Sequence, residues 1–330
     1  MKETLLCCRI TAQEKGLYRL CHDGVEQAAQ VSGKFQYEAL GPSDYPTVGD
    51  EVLADLNGGG QAVIHKVLPR KSLFLRKAAG TAREEQPVAA NVDILFLCMA
   101  LNNDFNLRRL ERYLAAAWNS GATPVVVLTK ADLCGNPSEK VAAVEEAAPG
   151  TDVLLTSAAQ EDGIRPLLPY LTPGRTVAFV GSSGVGKSTL MNGLLGKEIL
   201  ATGGLRNDDR GRHTTTRRQM FFLPGGAALI DTPGMRELGL WDSESGLETA
   251  FADIEALARQ CRFQDCRHEK EPGCAVRAAL ASGELSEERF RSWQRLSAEN
   301  RYADERAAHM SAKEKKFRMI AQFNKSNSKR

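Results

Sequence analysis

Two different spacings of apolar residues divide this chain. Over residues 1–68, short runs of alternating or β-branched residues are separated by glycines. Strands of this length and spacing predict a small all-β barrel or sandwich. We expect a last hairpin loop at residues 57–60, where one asparagine precedes three glycines. The predicted strands are Leu5–Thr11, Leu17–Cys21, Val25–Val31, Asp50–Leu56 and Gln61–Leu68.

The pattern changes twice after this region. Residues 69–87 are charged and weakly patterned, which predicts a linker. Apolar strand runs then alternate with helical periods, and this alternation predicts a mainly parallel, doubly wound α/β sheet. From Glu248 onward the pattern is helical and polar. The α/β region has predicted strands at Val92–Leu101, Pro124–Leu128, Thr151–Thr156, Thr176–Val180 and Ala227–Ile230, and predicted helices at Leu107–Asn119, Ser138–Ala148 and Lys187–Leu195.

Composition excludes several classes of protein. Apolar residues make up 42% of the chain, too many for wholesale disorder. The longest apolar run, Ile94–Leu101, has eight residues, whereas a membrane-spanning helix needs about 20. The N-terminus lacks the apolar core of a signal peptide. We therefore expect a cytoplasmic protein without membrane contact, whose eight cysteines are reduced.

The small net charge of +2 conceals a basic C-terminus. Between Arg306 and Arg330 there are eight basic residues and one acidic residue, so the rest of the chain is net negative. Phe317 and Phe323 lie among these cations. A basic tail of this kind indicates a polyanionic partner such as RNA, although a solvated, frayed terminus would show the same composition.

A glycine-rich segment after the strand Thr176–Val180 has the spacing of a phosphate-binding loop. Backbone N–H groups of such a loop surround phosphates, and the lysine reaches the β- and γ-phosphates. The following hydroxyl can hold Mg²⁺. The predicted nucleotide-phosphate-binding residues of this loop are Gly181, Ser182, Ser183, Gly184, Val185, Gly186, Lys187, Ser188 and Thr189.

Three other strand ends carry candidate nucleotide contacts. Asp231 follows a predicted strand and can hold Mg²⁺ through water, while the Gly234 N–H can sense the γ-phosphate. Asp132 offers a carboxylate to the N1–H and amino group of guanine, which adenine cannot match. A backbone N–H near Ser157 can bind the guanine O6. The predicted base-binding residues are Thr129, Lys130, Ala131, Asp132, Ser157 and Ala158.

A second constellation lies near the C-terminus, where three cysteines and one histidine fall within 14 residues. Their spacing is Cys-x₄-Cys-x-His-x₅-Cys. Three thiolates and an imidazole complete a tetrahedral zinc set without an open position, so we predict one structural Zn²⁺. The ligands are Cys261, Cys266, His268 and Cys274; the remaining cysteines, Cys7, Cys8, Cys21, Cys98 and Cys134, are predicted packing residues.

Together these motifs resemble the signature of GTP-binding proteins in an unusual order. The base-binding segments precede the phosphate loop, and Asp231–Gly234 comes last. This order resembles the circularly permuted GTPases, and the whole chain is similar to the ribosome small subunit-dependent GTPase A family. The resemblance implies an OB-fold at residues 1–68, a linker at 69–87, a circularly permuted GTPase domain at 88–245, a helical zinc-binding domain at 246–305 and a basic tail at 306–330.

The resemblance also implies an activity and partners. It implies a monomeric GTP hydrolase, bound to GTP or GDP with Mg²⁺, that acts on the small ribosomal subunit and its rRNA in late maturation. Residues 211–216 resemble the family's switch segment. We expect Lys187 to be catalytic and one of Thr214, Thr215 and Thr216 to bind Mg²⁺ and the γ-phosphate, with Thr215 the chosen candidate.

One position departs from ordinary GTPases. Met235 stands after Gly234, where many GTPases carry a glutamine that orients water. His213 is therefore a candidate catalytic residue, or else a solvated loop histidine. Two alternatives to a GTP hydrolase remain. The first is an RNA-binding module in which GTP acts as a switch and turnover is incidental. The second is an ATP-dependent enzyme, against which Asp132 argues.

Overall fold

The computed structural model describes residues 5–14, 16–56, 60–77, 85–160, 162–200, 218–231, 244–299 and 301. It divides into two compact units, Met1–Gly239 and Leu240–Arg330. The finer division of the chain into five parts stays a prediction.

The N-terminal strands close into a five-stranded barrel. β1 pairs with both β2 and β4, and β3 pairs in parallel with β5, which closes the ring in the order β1-β2-β3-β5-β4. Of the two predicted forms, the barrel is therefore the correct one. The strands are β1 (Leu6–Glu14), β2 (Leu17–His22), β3 (Val25–Val31), β4 (Glu51–Asp55) and β5 (Ala62–Val67).

Alternate residues of the strands fill the barrel. Ile10, Leu20 and Ile64 are fully buried in this core. A short helix that sequence reasoning missed, α1 (Gly33–Glu38), follows β3 and starts where the Ser32 hydroxyl accepts a hydrogen bond from the Phe35 N–H. Phe35 and Tyr45 pack on the barrel core and meet edge to face at 5.7 Å, whereas Tyr37 is exposed.

The segment predicted to be a linker contains regular structure. β6 (Leu73–Lys77) and β7 (Glu85–Ala90) form an antiparallel pair. Phe74 and Val88, one from each strand, are buried. The expectation of an unpatterned linker was thus wrong for these residues, because the neighbouring charged positions hid two apolar runs of only three residues, Leu73–Leu75 and Val88–Ala90.

The predicted parallel α/β sheet is confirmed. Its parallel strands stand in the order β10-β9-β8-β11-β13. The strands are β8 (Ile94–Ala100), β9 (Thr123–Thr129), β10 (Val153–Leu155), β11 (Thr176–Val180) and β13 (Ala228–Asp231). The intervening helices are α2 (Leu107–Ser120), α3 (Pro137–Ala147) and α4 (Lys187–Leu195).

One strand joins this sheet to the barrel. β12 (Arg218–Phe222) pairs antiparallel with β13 on one side and with β1 on the other, with Ala12 opposite Gln219. The result is one continuous sheet of eleven strands. Arg9 on β1 adds a side-chain link, since its guanidinium donates to the Thr176 hydroxyl at the start of β11 (3.0 Å).

The second unit is helical, as predicted. It contains α5 (Glu244–Ala250), α6 (Ala252–Ala258) and α7 (Ala275–Ser282), and residues 287–299 are helical as well. Arg289 is buried and forms two hydrogen bonds of 2.7 Å with Asp253 while its guanidinium lies 4.8 Å from the Phe251 ring centre. Among the described residues, none of the helices in either unit has the length and apolarity needed to cross a bilayer.

Candidate functional site

The glycine-rich loop leaves β11 and opens α4, as the sequence predicted. Gly181 passes so close to β8 that a Cβ there would lie 2.3 Å from the Cys98 carbonyl oxygen. Gly184 and Gly186 have φ values of 76° and 101°, which side-chain-bearing residues rarely adopt. The glycine spacing is therefore required by the path of the chain around an open loop.

The loop is anchored by its apolar residue and by its lysine. Val185 is buried in the core of the sheet, and Ser183 and Gly184 are exposed at the tip. The Lys187 ammonium donates hydrogen bonds of 2.7 Å to the carbonyl oxygens of Gly181 and Ser182. The amine thus lies across the mouth of the loop, where a phosphate chain would bind.

The predicted base-binding segment begins with a tether to this loop. Thr129 is buried at the end of β9, and its hydroxyl donates a 2.5 Å hydrogen bond to the Val185 carbonyl. Its side chain therefore contacts the phosphate loop, and its placement explains the hydroxyl at this position. Lys130 follows with a φ of 56°, so the chain turns sharply there.

Asp132 and Ser157 come together from two adjacent strand ends. The Ser157 hydroxyl, which is buried, donates to the Asp132 carboxylate. The two segments are also joined by a 3.1 Å hydrogen bond from the Ala131 N–H to the Thr156 carbonyl. Gly163 closes the second segment, because a Cβ at that residue would lie 1.7 Å from the Ser157 carbonyl oxygen. Asp132 and Ala158 are exposed beside this contact.

Asp231 ends β13 at the same edge of the sheet. Burial raises the pKa of its carboxyl group, and the positive charge of Lys187 opposes that shift. Ser188 is half-buried in the first turn of α4, one residue after Lys187. A carboxylate and a hydroxyl beside a lysine ammonium are oxygen donors that suit Mg²⁺. Gly234, Met235, His213 and the threonines 214–216 lie outside the described residues.

Sequence reasoning missed one residue at this edge. Asp104, in the connection between β8 and α2, accepts a 2.7 Å hydrogen bond from the Ser182 hydroxyl. Arg109 pairs with the other carboxylate oxygen at 2.9 Å. The sequence signal that could have revealed Asp104 is its place directly after a buried strand. Asn102, Asn103 and Asp104 follow β8, whose carboxyl end lies at the same edge of the sheet as that of β11.

The four predicted zinc ligands are brought together in the second unit. Their ligand atoms all lie within 4.8 Å of one another. The Cys261 and Cys274 sulfurs are 3.8 Å apart, and the His268 Nδ1 lies 3.6 and 3.4 Å from them. Ordinary Zn–S and Zn–N bond lengths give tetrahedron edges of about 3.8 Å between sulfurs and about 3.5 Å between sulfur and nitrogen. The donor set therefore fits zinc.

Backbone geometry supports this donor set. Cys274 is the N-cap of α7, and its sulfur accepts a hydrogen bond from the Arg277 N–H. His268 has a φ of 61°, and its ring lies beside those of Trp293 (5.7 Å) and Phe290 (6.4 Å). Desolvation opposes ionisation of Cys261, but hydrogen bonds from the backbone at the start of α7 and from neighbouring thiols lower its pKa overall. Cys261 is therefore disposed to the thiolate form that ligates metal, whereas desolvation and the neighbouring thiols raise the pKa of Cys266 to about 11.

The other five cysteines differ in burial. Cys8 and Cys98 are buried, as the packing interpretation predicted, and burial raises the pKa of Cys98 to about 12. Cys7 is exposed, so the prediction was wrong for it: its side chain points outward on the alternating strand β1. Cys21 and Cys134 are half-buried.

Comparison with protein families gives a match over more than half of the chain. A family model described as RsgA GTPase matches residues 67–241, which include the β6–β7 hairpin and the whole parallel sheet. A second model, described as ABC transporter, matches residues 166–329. That range contains the glycine-rich loop but excludes β8, β9 and β10 and the residues that follow them, Asp104, Asp132 and Ser157.

Several curated proteins are similar over most of their length. A protein of Lactiplantibacillus plantarum named small ribosomal subunit biogenesis GTPase RsgA 2 is 50% identical over 89% of this chain and 83% of its own. One of Methanosarcina acetivorans, named small ribosomal subunit biogenesis GTPase RsgA, is 45% identical over 93% of this chain and 82% of its own.

Two crystal structures share the arrangement of the chain. YjeQ from Thermotoga maritima superposes with a TM-score of 0.67 at 27% identity, covering 89% of this chain and 97% of that one. YloQ, described as a circularly permuted GTPase, has a TM-score of 0.65 at 23% identity and covers 92% and 96%. The permuted order and the fold class predicted from sequence are confirmed. The chain therefore belongs to the RsgA GTPase family.

Proposed function

We propose that this protein is a GTP hydrolase that acts in maturation of the small ribosomal subunit. The observation that supports the proposal is the strand order β10-β9-β8-β11-β13, in which Asp132, Ser157, the loop 181–189 and Asp231 follow or end parallel strands of one sheet at their carboxyl ends. Ligands of open α/β sheets bind at that edge. Membership of the RsgA GTPase family agrees with it.

Guanine recognition is assigned to two segments. The Asp132 carboxylate accepts from the guanine N1–H and amino group, and the Ser157 hydroxyl holds the carboxylate in place. The backbone at Ser157 and Ala158 binds the O6. Lys130 and Ala131 provide the turn between β9 and Asp132. ATP would leave these acceptors without partners, so we expect preference for GTP.

Phosphate binding is assigned to the loop 181–189. Its backbone N–H groups and the start of α4 bind the phosphates, and Lys187 neutralises charge between the β- and γ-phosphates. Ser188, Thr215 and, through water, Asp231 would hold Mg²⁺, which neutralises phosphate charge when bound. His213 positions the attacking water, because Met235 has no group that can, and the Gly234 N–H contacts the γ-phosphate.

One Zn²⁺ per chain is assigned to Cys261, Cys266, His268 and Cys274. A closed set of four protein ligands leaves no position for a reacting water, so its role is structural. It would hold the segment between α6 and α7, in which Phe263 is exposed and the apolar residues are few. Folding of this segment would then depend on the metal.

The small ribosomal subunit enters as partner from the names of the relatives. On this proposal the protein is cytoplasmic and monomeric, the barrel contacts rRNA, and the basic residues between Arg306 and Arg330 anchor it electrostatically. These tail residues lie outside the described part of the structure.

The test is GTP turnover with and without purified small ribosomal subunits. We expect slow turnover by the free protein and faster turnover with subunits. A parallel competition between ATP and GTP for binding separates this function from an ATP-dependent one. Equal turnover with and without subunits would contradict action on the subunit, and equal affinity for both nucleotides would contradict the assignment of Asp132.

A further inference from the structure

Asp104 links a loop outside the signature motifs to the phosphate loop. Its Oδ2 accepts a 2.7 Å hydrogen bond from the Ser182 hydroxyl, and its Oδ1 lies 2.9 Å from the Arg109 guanidinium. Both carboxylate oxygens are therefore engaged, one by the phosphate loop and the other by α2. A charged acceptor makes the hydrogen bond from Ser182 stronger than a neutral one would.

The loop that carries Asp104 is itself well fixed. The Asn102 side chain accepts from the Asp104 N–H (3.0 Å), and the Asn106 side chain caps α2 by accepting from the Arg109 N–H (3.0 Å). Near its start, the Lys140 ammonium donates to the Leu101 carbonyl (3.1 Å). Asp104 can thus act as a fixed point for a neighbouring segment.

Ser182 transmits this fixed position to the lysine. Its hydroxyl is bonded to Asp104, and its own carbonyl oxygen accepts a 2.7 Å hydrogen bond from Lys187. Rotation of the residue would break both contacts together. The hydrogen bond to Asp104 therefore restricts the orientation of a carbonyl that holds the phosphate-binding amine.

We propose that Asp104 is a positioning residue that acts through Ser182 to hold Lys187 for the β- and γ-phosphates. The proposal rests on the function proposed above. A carboxylate beside a phosphate site would repel the nucleotide, and Arg109 offsets that charge at 2.9 Å. The pair thus supplies a strong acceptor for Ser182 without adding net charge to the site.

The experiment measures GDP dissociation with a fluorescent GDP analogue, GTP turnover and melting temperature for Asp104→Ala, Ser182→Ala and the double variant. We expect each single variant to release GDP about five- to tenfold faster, the effect of losing one hydrogen bond. The kcat should fall by a similar factor, and the double variant should be no worse than either single one. Asp104→Asn keeps an acceptor for Ser182 and should retain most of the wild-type behaviour.

A matched control is Asp152→Ala. Asp152 also accepts a hydrogen bond from a hydroxyl, that of Tyr170 (2.7 Å), but it lies at the amino end of β10. It should leave GDP dissociation unchanged. Wild-type GDP release and kcat in both single variants, or additive effects in the double one, would overturn the proposal. If Asp104→Ala fails to fold, Ser182→Ala decides by the same measurements, because it removes the same hydrogen bond from the other side. Failure of the wild-type protein to bind GDP would instead refute the proposed function.

Discussion

The nucleotide edge, where the parallel strands of the sheet end, and the cysteine–histidine cluster, formed by the four predicted zinc ligands, are built in opposite ways. The first draws on residues from Asp104 to Asp231, and they meet because five parallel strands end at one edge. The second uses 14 consecutive residues, Cys261–Cys274, held by a turn and the start of α7. One site thus depends on a large sheet core, and the other depends on its own ligands.

This difference separates two sources of stability. Two of the strands under the nucleotide edge, β8 and β11, are completely buried, so their geometry is set by packing. Around the cluster the described residues between α6 and α7 are mostly exposed. Apolar burial positions the first site before any ligand binds, whereas metal ligation would supply much of the free energy that orders the second.

The largest expected effect concerns Lys187, the lysine at the nucleotide edge. Lys187→Ala should lower kcat for GTP about 100- to 1,000-fold, because it removes a charge positioned for the transition state. The fold should persist, since the sheet core does not depend on this side chain. Single-turnover GTP hydrolysis with circular dichroism of the same sample checks this. Lys34→Ala, which removes an exposed lysine from α1, is the control and should turn over normally.

Base specificity should change without loss of the local structure. Asp132→Asn keeps an oxygen that can accept from Ser157 but places a donor toward the base. GTP binding should weaken about 100-fold or more, and xanthosine triphosphate binding should improve. Competition binding of the two nucleotides to wild-type protein and variant measures the crossover. Retained preference for GTP in the variant would mean that Asp132 does not contact the base.

Loss of a cluster ligand tests whether the two regions are independent. Cys266→Ser should lower the zinc content below one per chain and destabilise the second unit by about 3 kcal/mol, while GTP affinity stays within about twofold of wild type. Elemental analysis, limited proteolysis and nucleotide binding measure the three quantities. The control is Cys7→Ser, since Cys7 is exposed on β1. Loss of nucleotide binding in Cys266→Ser, but not in Cys7→Ser, would show that the nucleotide edge depends on the cluster.

Most of the fold could be predicted because its strands differ in pattern. Alternation marked the barrel strands, and continuous apolar runs marked the parallel ones; β11 and α4 have the predicted bounds. β12 was missed because Arg218–Phe222 shows neither pattern, and its partners β1 and β13 come from distant parts of the chain. The joining of barrel and sheet depends on that strand, so it could not be predicted from local sequence.

The candidate site was predictable where spacing alone defines chemistry. The loop 181–189 and the four cluster ligands have characteristic spacings, and the structure brings each set together. Asp104 has no such spacing, and its contact with Ser182 joins residues 78 positions apart. Thr129 was predicted for the base but contacts Val185, a pairing that requires the strand order of the sheet.

The smallest expected effect concerns the carboxylate that the sheet buries at the nucleotide edge. Burial raises the pKa of Asp231, opposed by Lys187, so the folded protein holds this proton to higher pH than the unfolded chain does. The contribution of this carboxyl group to folding stability is therefore complete below the ordinary aspartate pKa. It is lost as the pH rises through the raised pKa of Asp231 in the folded protein. At neutral pH the folded protein must bury a charged carboxylate at this position, and Asp231→Asn removes that charge. The variant should therefore raise the neutral-pH melting temperature of the nucleotide-free protein by about 2 °C.

The same variant should bind Mg²⁺–GTP more weakly, so that stability and function move in opposite directions. Melting curves from pH 7 downward measure the first effect. The difference in melting temperature between variant and wild type should narrow as the pH falls, because Asp231 becomes protonated and is then uncharged, as asparagine is at every pH. Asp23→Asn is the control, since the Asp23 side chain is 90% exposed and its replacement should leave the melting temperature unchanged. A lower melting temperature for Asp231→Asn at neutral pH would show that the carboxylate stabilises the empty sheet edge, and the nucleotide site would then resemble the cluster in depending on its own charged groups for its structure.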